Sequence, residues 1–163
     1  MIQHLTLTNP RTYLYSLLFV AGNIIVPQLC HLIPQGGLMF LPIYFFTLIA
    51  AYQYGMTAGM LTALLSPLVN HIFFEMPPLS ALPILLIKSS LLAIFAALIA
   101  KRSGKVMLGS VFLAVISYQL VGMLFEWPMT GSLTKALQDI RIGYPGMMFQ
   151  VIGGYFTLKL LQK

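Results

Sequence analysis

Apolar residues run through this chain in long blocks, and the polar positions between blocks gather at prolines, glycines and charges. Windows of ~20 apolar residues, the length a helix needs to cross a bilayer, predict spans at 12–33, 38–54, 55–75, 80–100, 106–127 and 144–161. The breaks fall at Pro34-Gln35-Gly36-Gly37, at Gly55, at Pro77-Pro78, at residues 101–105 (Lys-Arg-Ser-Gly-Lys) and across Trp127 to Gly143. A double proline cannot continue a helix, so Glu75-Met76-Pro77-Pro78 reads as a turn. In the longest connection Leu133, Ala136, Leu137 and Ile140 recur at helical spacing, with Lys135, Gln138, Asp139 and Arg141 elsewhere on the turn. That pattern predicts a short interfacial helix. The expected fold is all-α: one transmembrane domain over residues 1–163, a bundle of six helices without an internal repeat or a low-complexity segment.

Composition supports the membrane reading. The chain is 59% hydrophobic and 7% charged, where soluble domains carry roughly 25% charged residues; its mean hydropathy is +0.90. The formal charge of +6 would suggest nucleic acid in a soluble protein. Here the basic residues sit at the ends of apolar segments and are not interleaved with aromatics on a polar face, so no nucleic-acid partner is expected. An even number of spans puts both termini on one side. Cytoplasmic termini place Arg11, Lys101, Arg102, Lys105, Lys159 and Lys163 inside and only Lys135 and Arg141 outside, as the positive-inside rule requires. The N-terminus lacks a charged stretch leading directly into a short apolar run with a cleavage site, so the first span is expected to be retained. The expected location is the cytoplasmic (inner) membrane, multi-pass.

Much chemistry is missing. One aspartate, scattered histidines and no nucleophile or His-Glu-x-x-His motif exclude the usual intramembrane proteases. No phosphate-binding glycine pattern is present, so ATP hydrolysis would need other subunits. No enzyme activity and no cofactor are expected. A metal site on His4, His31 and His71 would require convergence that spacing alone does not supply, the single Cys30 excludes an intramolecular disulfide or a cysteine metal cluster, and no ring of charges or carbonyl-rich filter marks a channel.

Polar residues inside the spans are therefore the candidates: Asn23, Asn70, His71, Lys88, Gln119 and Gln150. Intramembrane ionisable groups are costly and face the bundle interior or a wet cavity. Lys88 lies ~12 Å below the expected outer boundary near Ser80, close to mid-bilayer. It is read either as an anchor for an anionic ligand or as the internal partner of Glu75 or Glu126, or as a cap on carbonyls freed by Pro67 or Pro83. Asn70 and His71, near the outer end of the third span, are read equally as ligand contacts or as helix-end features. Gly55, Gly59 and Ala63 form a small-residue row, with Ala58, Thr62 and Ser66 as a second, suited to close helix contact either inside the chain or with a partner. Trp127 and Tyr144 suit an interfacial belt, and the scattered methionines suit core filling.

The stretch Ser66-Pro-Leu-Val-Asn-His-Ile-Phe-Phe-Glu-Met-Pro-Pro-Leu79 with the proline-containing helix after it resembles the third-helix, turn and fourth-helix region of substrate-binding S components of energy-coupling factor (ECF) transporters. The C-terminal run from Ile142, with Gly143, Pro145, Gly146 and Gln150, is similar to that family's closing helix. The likeness is best over 38–102 and 142–161. Departures are Glu75, where a glycine is common, Lys88, near a position that is often acidic, and a first span without a clean Ala-x-x-x-Ala docking row. The resemblance implies capture of a vitamin or similar micronutrient from outside, with Lys88, His71, Asn70, Gln150 and Asn23 as ligand-binding candidates. It also implies Gly55, Gly59 and Ala63 as candidates for docking on a membrane coupling subunit, which works with two ATPase subunits. The alternative is a structural cell-shape protein resembling MreD, without a small-molecule ligand, for which a sealed interior and an internally paired Lys88 would speak. A gradient-driven carrier would need more titratable relays than the chain carries.

Overall fold

This computed structural model of the chain describes residue 2 and residues 5–162. His4, weighed above as a metal ligand, and Lys163, counted above among the basic residues, lie outside the described residues. Among the described residues the structure is helical, without a strand. Helix α1 spans Pro10–Cys30: Asn9 Oδ1 accepts the Arg11 N–H at 3.0 Å and Pro10 occupies the first turn, where no N–H is needed. Helix α2 spans Gly36–Phe40, a tighter 3₁₀ turn follows at Pro42–Tyr44, and α3 spans Phe45–Tyr54. The span expected at 38–54 remains one candidate crossing, Gly36–Tyr54, built of three helical pieces. Leu41 stands between them at φ 47°, ψ 47°; Pro42 disfavours the right-handed helical region for its predecessor, and the helix breaks there.

Helix α4 spans Met56–Phe74, α5 Leu82–Ser103, α6 Leu108–Thr130, α7 Leu133–Ala136, α8 Gln138–Arg141 and α9 Tyr144–Leu161. The uncharged break at Gly55 is real: φ 91°, ψ −179° is a backbone conformation essentially confined to glycine. Helix α6 outlasts its expected end at 127 and stops at Gly131, φ 63°, and the expected interfacial helix is two short turns, α7 and α8. Among the described residues five segments are long and apolar enough to cross a bilayer: Pro10–Cys30, Gly36–Tyr54, Met56–Phe74, Leu82–Ser103 and Leu108–Thr130. The chain is a multi-pass helical membrane protein. Helix α9 matches these segments less well in composition because Gln150, Lys159 and the Gly153-Gly154 pair dilute its apolar run.

Helix α3 is the axis of the bundle. Leu48, Ile49, Ala50, Ala51 and Tyr52 are each at most 1% exposed, and α1, α4, α5 and α9 surround it. A helix apolar all round is buried all round. Its neighbours present small residues inward, including Ala93, Ala96, Ala97 and Ala100 of α5. Outward they present large apolar side chains such as Leu14, Leu17, Leu18 and Leu29 of α1, as a lipid-facing surface should.

The small-residue row of α4 belongs to this interior. Gly55 and Gly59 are buried and Ala63 is 0% exposed. A Cβ on Gly59 would stand 2.5 Å from Ala51 Cβ and 2.7 Å from Ala51 Cα. The row expected to dock a partner is therefore corrected to internal packing of α4 on α3, because the missing side chains are what let these backbones approach. The second row is also internal: Ala58, Thr62 and Ser66 are 0% exposed, with Ser16 Oγ on the Ala58 carbonyl at 3.4 Å.

Two hydrogen bonds sort the ends of the bundle. The Leu5 N–H reaches the Tyr54 carbonyl at 3.1 Å and the Tyr52 hydroxyl reaches the Lys105 carbonyl at 3.1 Å. One end therefore gathers the N-terminal segment, Gly55 and the basic 101–105 turn. The opposite end gathers the C-terminal ends of α1, α4 and α6, the start of α5, α7, α8 and the start of α9.

Candidate ligand-binding site

A cavity of about 510 Å³ opens at this second end, within the range of small-molecule sites. It is walled by the end of α1 (Pro27, His31), by Gln35 to Tyr44, by Asn70, by the Met76-Pro77-Pro78 turn, by the first turns of α5 (Ala81, Ile84, Leu85, Lys88), by Glu126 of α6 and by Gln138 and Asp139 of α8. Most of this wall is apolar. The non-glycine residues with positive φ among the described residues are Gln35 (58°), Leu41 (47°) and Glu75 (55°). Gln35 and Leu41 line the cavity, and Glu75 immediately precedes the turn that does. A left-handed backbone costs an L-residue roughly 1–2 kcal/mol, and such strain gathers where a site is being shaped.

The charged centre is a triad. Lys88 Nζ donates to Glu126 Oε2 and, at 2.7 Å, to Asp139 Oδ2. Lys88 is 2% exposed and its partners 13% and 14%. The sequence sends these groups inward from three elements, and the lysine stem passes over α6 where a side chain is absent: a Cβ on Gly122 would lie 2.7 Å from Lys88 Cγ. A buried charge needs partners, and this one has two. Asp139 thereby pins the α7–α8 segment over the cavity.

Asn70, 2% exposed, also lines the cavity. Its Nδ2 donates to the Asn23 carbonyl at 2.8 Å and to the Ser66 carbonyl at 2.9 Å. Carbonyls only accept, so the amide orientation is settled, and Asn70 Oδ1 is left buried without a hydrogen-bond partner. Asn23 sits behind it, 0% exposed, with Nδ2 on Thr47 Oγ1 at 3.1 Å and Ser66 Oγ at 3.0 Å.

Of the residues singled out in the sequence, Lys88 and Asn70 share the cavity wall. Asn23 braces Asn70 from behind. His71 donates Nδ1–H to the Pro77 carbonyl at 2.8 Å, tying the end of α4 to the double-proline turn. Gln150, 0% exposed, accepts from the Tyr118 hydroxyl at 3.0 Å and donates to the Leu41 carbonyl at 3.4 Å, so it holds the strained residue of the cavity wall. Gln119 joins the same network through the Tyr118 hydroxyl at 3.1 Å. Glu75 is exposed and takes no part in the triad. Asp139 was not foreseen as a partner of Lys88, nor Tyr44, Gln35 and Gln138 as wall. The signal for Asp139 was its status as the chain's single aspartate in an otherwise amphipathic outer connection. Among the described residues no group of three or more His, Cys, Asp or Glu could hold a metal ion.

Compared with known proteins, the chain matches no family model, no curated protein and no solved structure.

Proposed function

We propose that this chain captures a small molecule from the outer side of the membrane, as the substrate-binding subunit of an ATP-driven micronutrient importer of the ECF type. The observation that carries the proposal is the cavity of about 510 Å³, which opens beside a largely buried charged triad at the end of the bundle away from the 101–105 turn. Arg11, Lys101, Arg102 and Lys105 lie toward the other end, Lys135 and Arg141 beside the cavity. The positive-inside rule then turns the cavity outward. Helix α9 is counted as a sixth crossing: at 18 residues it reaches about 27 Å, and it packs lengthwise on α3 and α6, with Gly154 against Leu48 and Val111. Both termini are then cytoplasmic. With no nucleotide-binding motif in the chain, transport energy comes from a coupling subunit and two ATPase subunits.

A structural role of the MreD kind draws support from one feature, the internal pairing of Lys88. The open cavity beside that pair favours capture. The deciding experiment is mass spectrometry of small molecules released from the full chain purified from rich medium. One compound at about one per chain, released more readily from an Asn70→Leu variant, supports capture; a chain that retains nothing and is not stabilised by the small-molecule fraction of a cell extract overturns it.

A further inference from the structure

Resting on the capture reading, the chemistry of the captured molecule follows from the balance of charges and hydrogen-bonding groups in the cavity wall. We propose that the ligand is cationic and rich in N–H donors, an amine- or amidinium-bearing ring, and not the anion that an intramembrane lysine by itself suggests. The charge balance is the first ground. Glu126 and Asp139 share the single ammonium of Lys88, which leaves one negative charge uncompensated among groups no more than 14% exposed. Lys135 and Arg141, on the neighbouring short helices, are exposed and do not line the cavity. His31 does line it but is exposed to solvent. An anion entering here would find the lysine already flanked by two carboxylates and would have to displace one of them.

The balance of donors and acceptors points the same way and is independent of charge. Two of the three Lys88 N–H groups are committed, one to each carboxylate. Each carboxylate, with about four acceptor sites, gives one to the lysine. Asn70 adds a further acceptor, its buried Oδ1, which has no partner while both of its amide hydrogens are used on carbonyls. A buried acceptor without a donor is costly; this oxygen is itself closed off from the cavity, so a ligand N–H satisfies it once the Asn70 side chain shifts toward the wall. Tyr44, Gln35 and Gln138 add groups that both donate and accept and so favour neither sign, and Pro27, Ile43, Pro77 and Leu85 add apolar surface suited to a ring. A cation seated between these groups adds the missing charge to the triad and leaves the Lys88 pair intact.

The test compares two probes of one shape and opposite charge, benzamidinium and benzoate, on the full chain in lipid nanodiscs, with binding read by saturation-transfer NMR and titration. The expected result is that benzamidinium binds more tightly by about tenfold or more. Glu126→Gln and Asp139→Asn each keep the side-chain volume and leave a neutral lysine–carboxylate pair. Each is expected to lower the preference by about tenfold, with thermal unfolding checking that the variant is folded. Should either variant fail to fold, the preference of the unsubstituted chain decides alone. A preference for benzoate, equal affinities, binding of neither probe, or a preference unmoved in folded variants overturns the proposal. The two readings fail separately: a stoichiometric retained anion with a benzoate preference removes the cationic ligand and leaves capture standing, whereas no retained compound, no stabilisation by the extract fraction and no bound probe removes both.

Discussion

Lys88 is held from two sides, and that changes what its removal should do. A lysine free to meet a ligand could be lost with little effect on folding. This one separates two carboxylates at a site where it is 2% exposed. Lys88→Met leaves Glu126 and Asp139 buried together without a cation, and removing one partner of a buried ion pair costs about 3–5 kcal/mol. The expected outcome is a large drop in the thermal unfolding midpoint in detergent, most of which returns when Glu126→Gln and Asp139→Asn are added; a single variant as stable as the parent would contradict the triad's structural weight. Gly122 supplies a gentler probe. Gly122→Ala places a methyl on the lysine stem and should cost on the order of 1–3 kcal/mol, as overpacked sites do, while Gly109→Ala, with nothing within 4 Å of the added carbon, should raise stability slightly or leave it unchanged.

At the scale of elements, the turns that shape the cavity were readable and the partners of the small residues were not. Proline pairs and glycines mark the breaks wherever local sterics alone decide them, which is why Gly55, Pro77-Pro78 and Gly104 all end helices. Which face of α4 meets which neighbour depends on side chains far away in sequence. Gly59→Ala should cost about 1–3 kcal/mol because α4 must be pushed off Ala51, and Gly59→Leu should prevent correct assembly, measured as aggregation on extraction, instead of releasing a partner from an intact chain. Glu75 caps α4 in the left-handed conformation, its N–H on the His71 carbonyl at 2.9 Å. Because it is exposed, Glu75→Gly should relieve about 1–2 kcal/mol of backbone strain against about 0.5–1 kcal/mol of added chain entropy. A small rise in the unfolding midpoint is expected; a fall would mean that the carboxylate has a partner beyond the cap.

For the whole molecule, the prediction concerns sides of the membrane. In a Cys30→Ser background, a cysteine at Thr134 beside the cavity should react with a membrane-impermeant thiol reagent in intact cells. One at Lys105 should react only after permeabilisation, and a tag following the C-terminus should behave like Lys105. A C-terminal tag that labels from outside would mean that α9 does not cross, and labelling of Lys105 from outside would invert the cavity.

Helical class, membrane placement and the positions of most breaks were determined by the sequence alone, because bilayer length, apolar blocks and proline or glycine sterics are local quantities. Lys88 could also be recognised there as a group in need of company, since the cost of a charge at that depth does not depend on the fold. Only the tertiary structure decided who provides that company. Glu126 lies 38 residues and Asp139 51 residues from Lys88 along the chain, and their meeting depends on α6 crossing α5 at Gly122 and on α8 folding back over the cavity. Asn70 with its unpaired oxygen, and Gln150 holding the Leu41 carbonyl, are equally results of packing. The sequence lists these donors, acceptors and charges, but the sign of the site is their sum over one cavity, and that sum exists only after helices distant in the chain have closed around it.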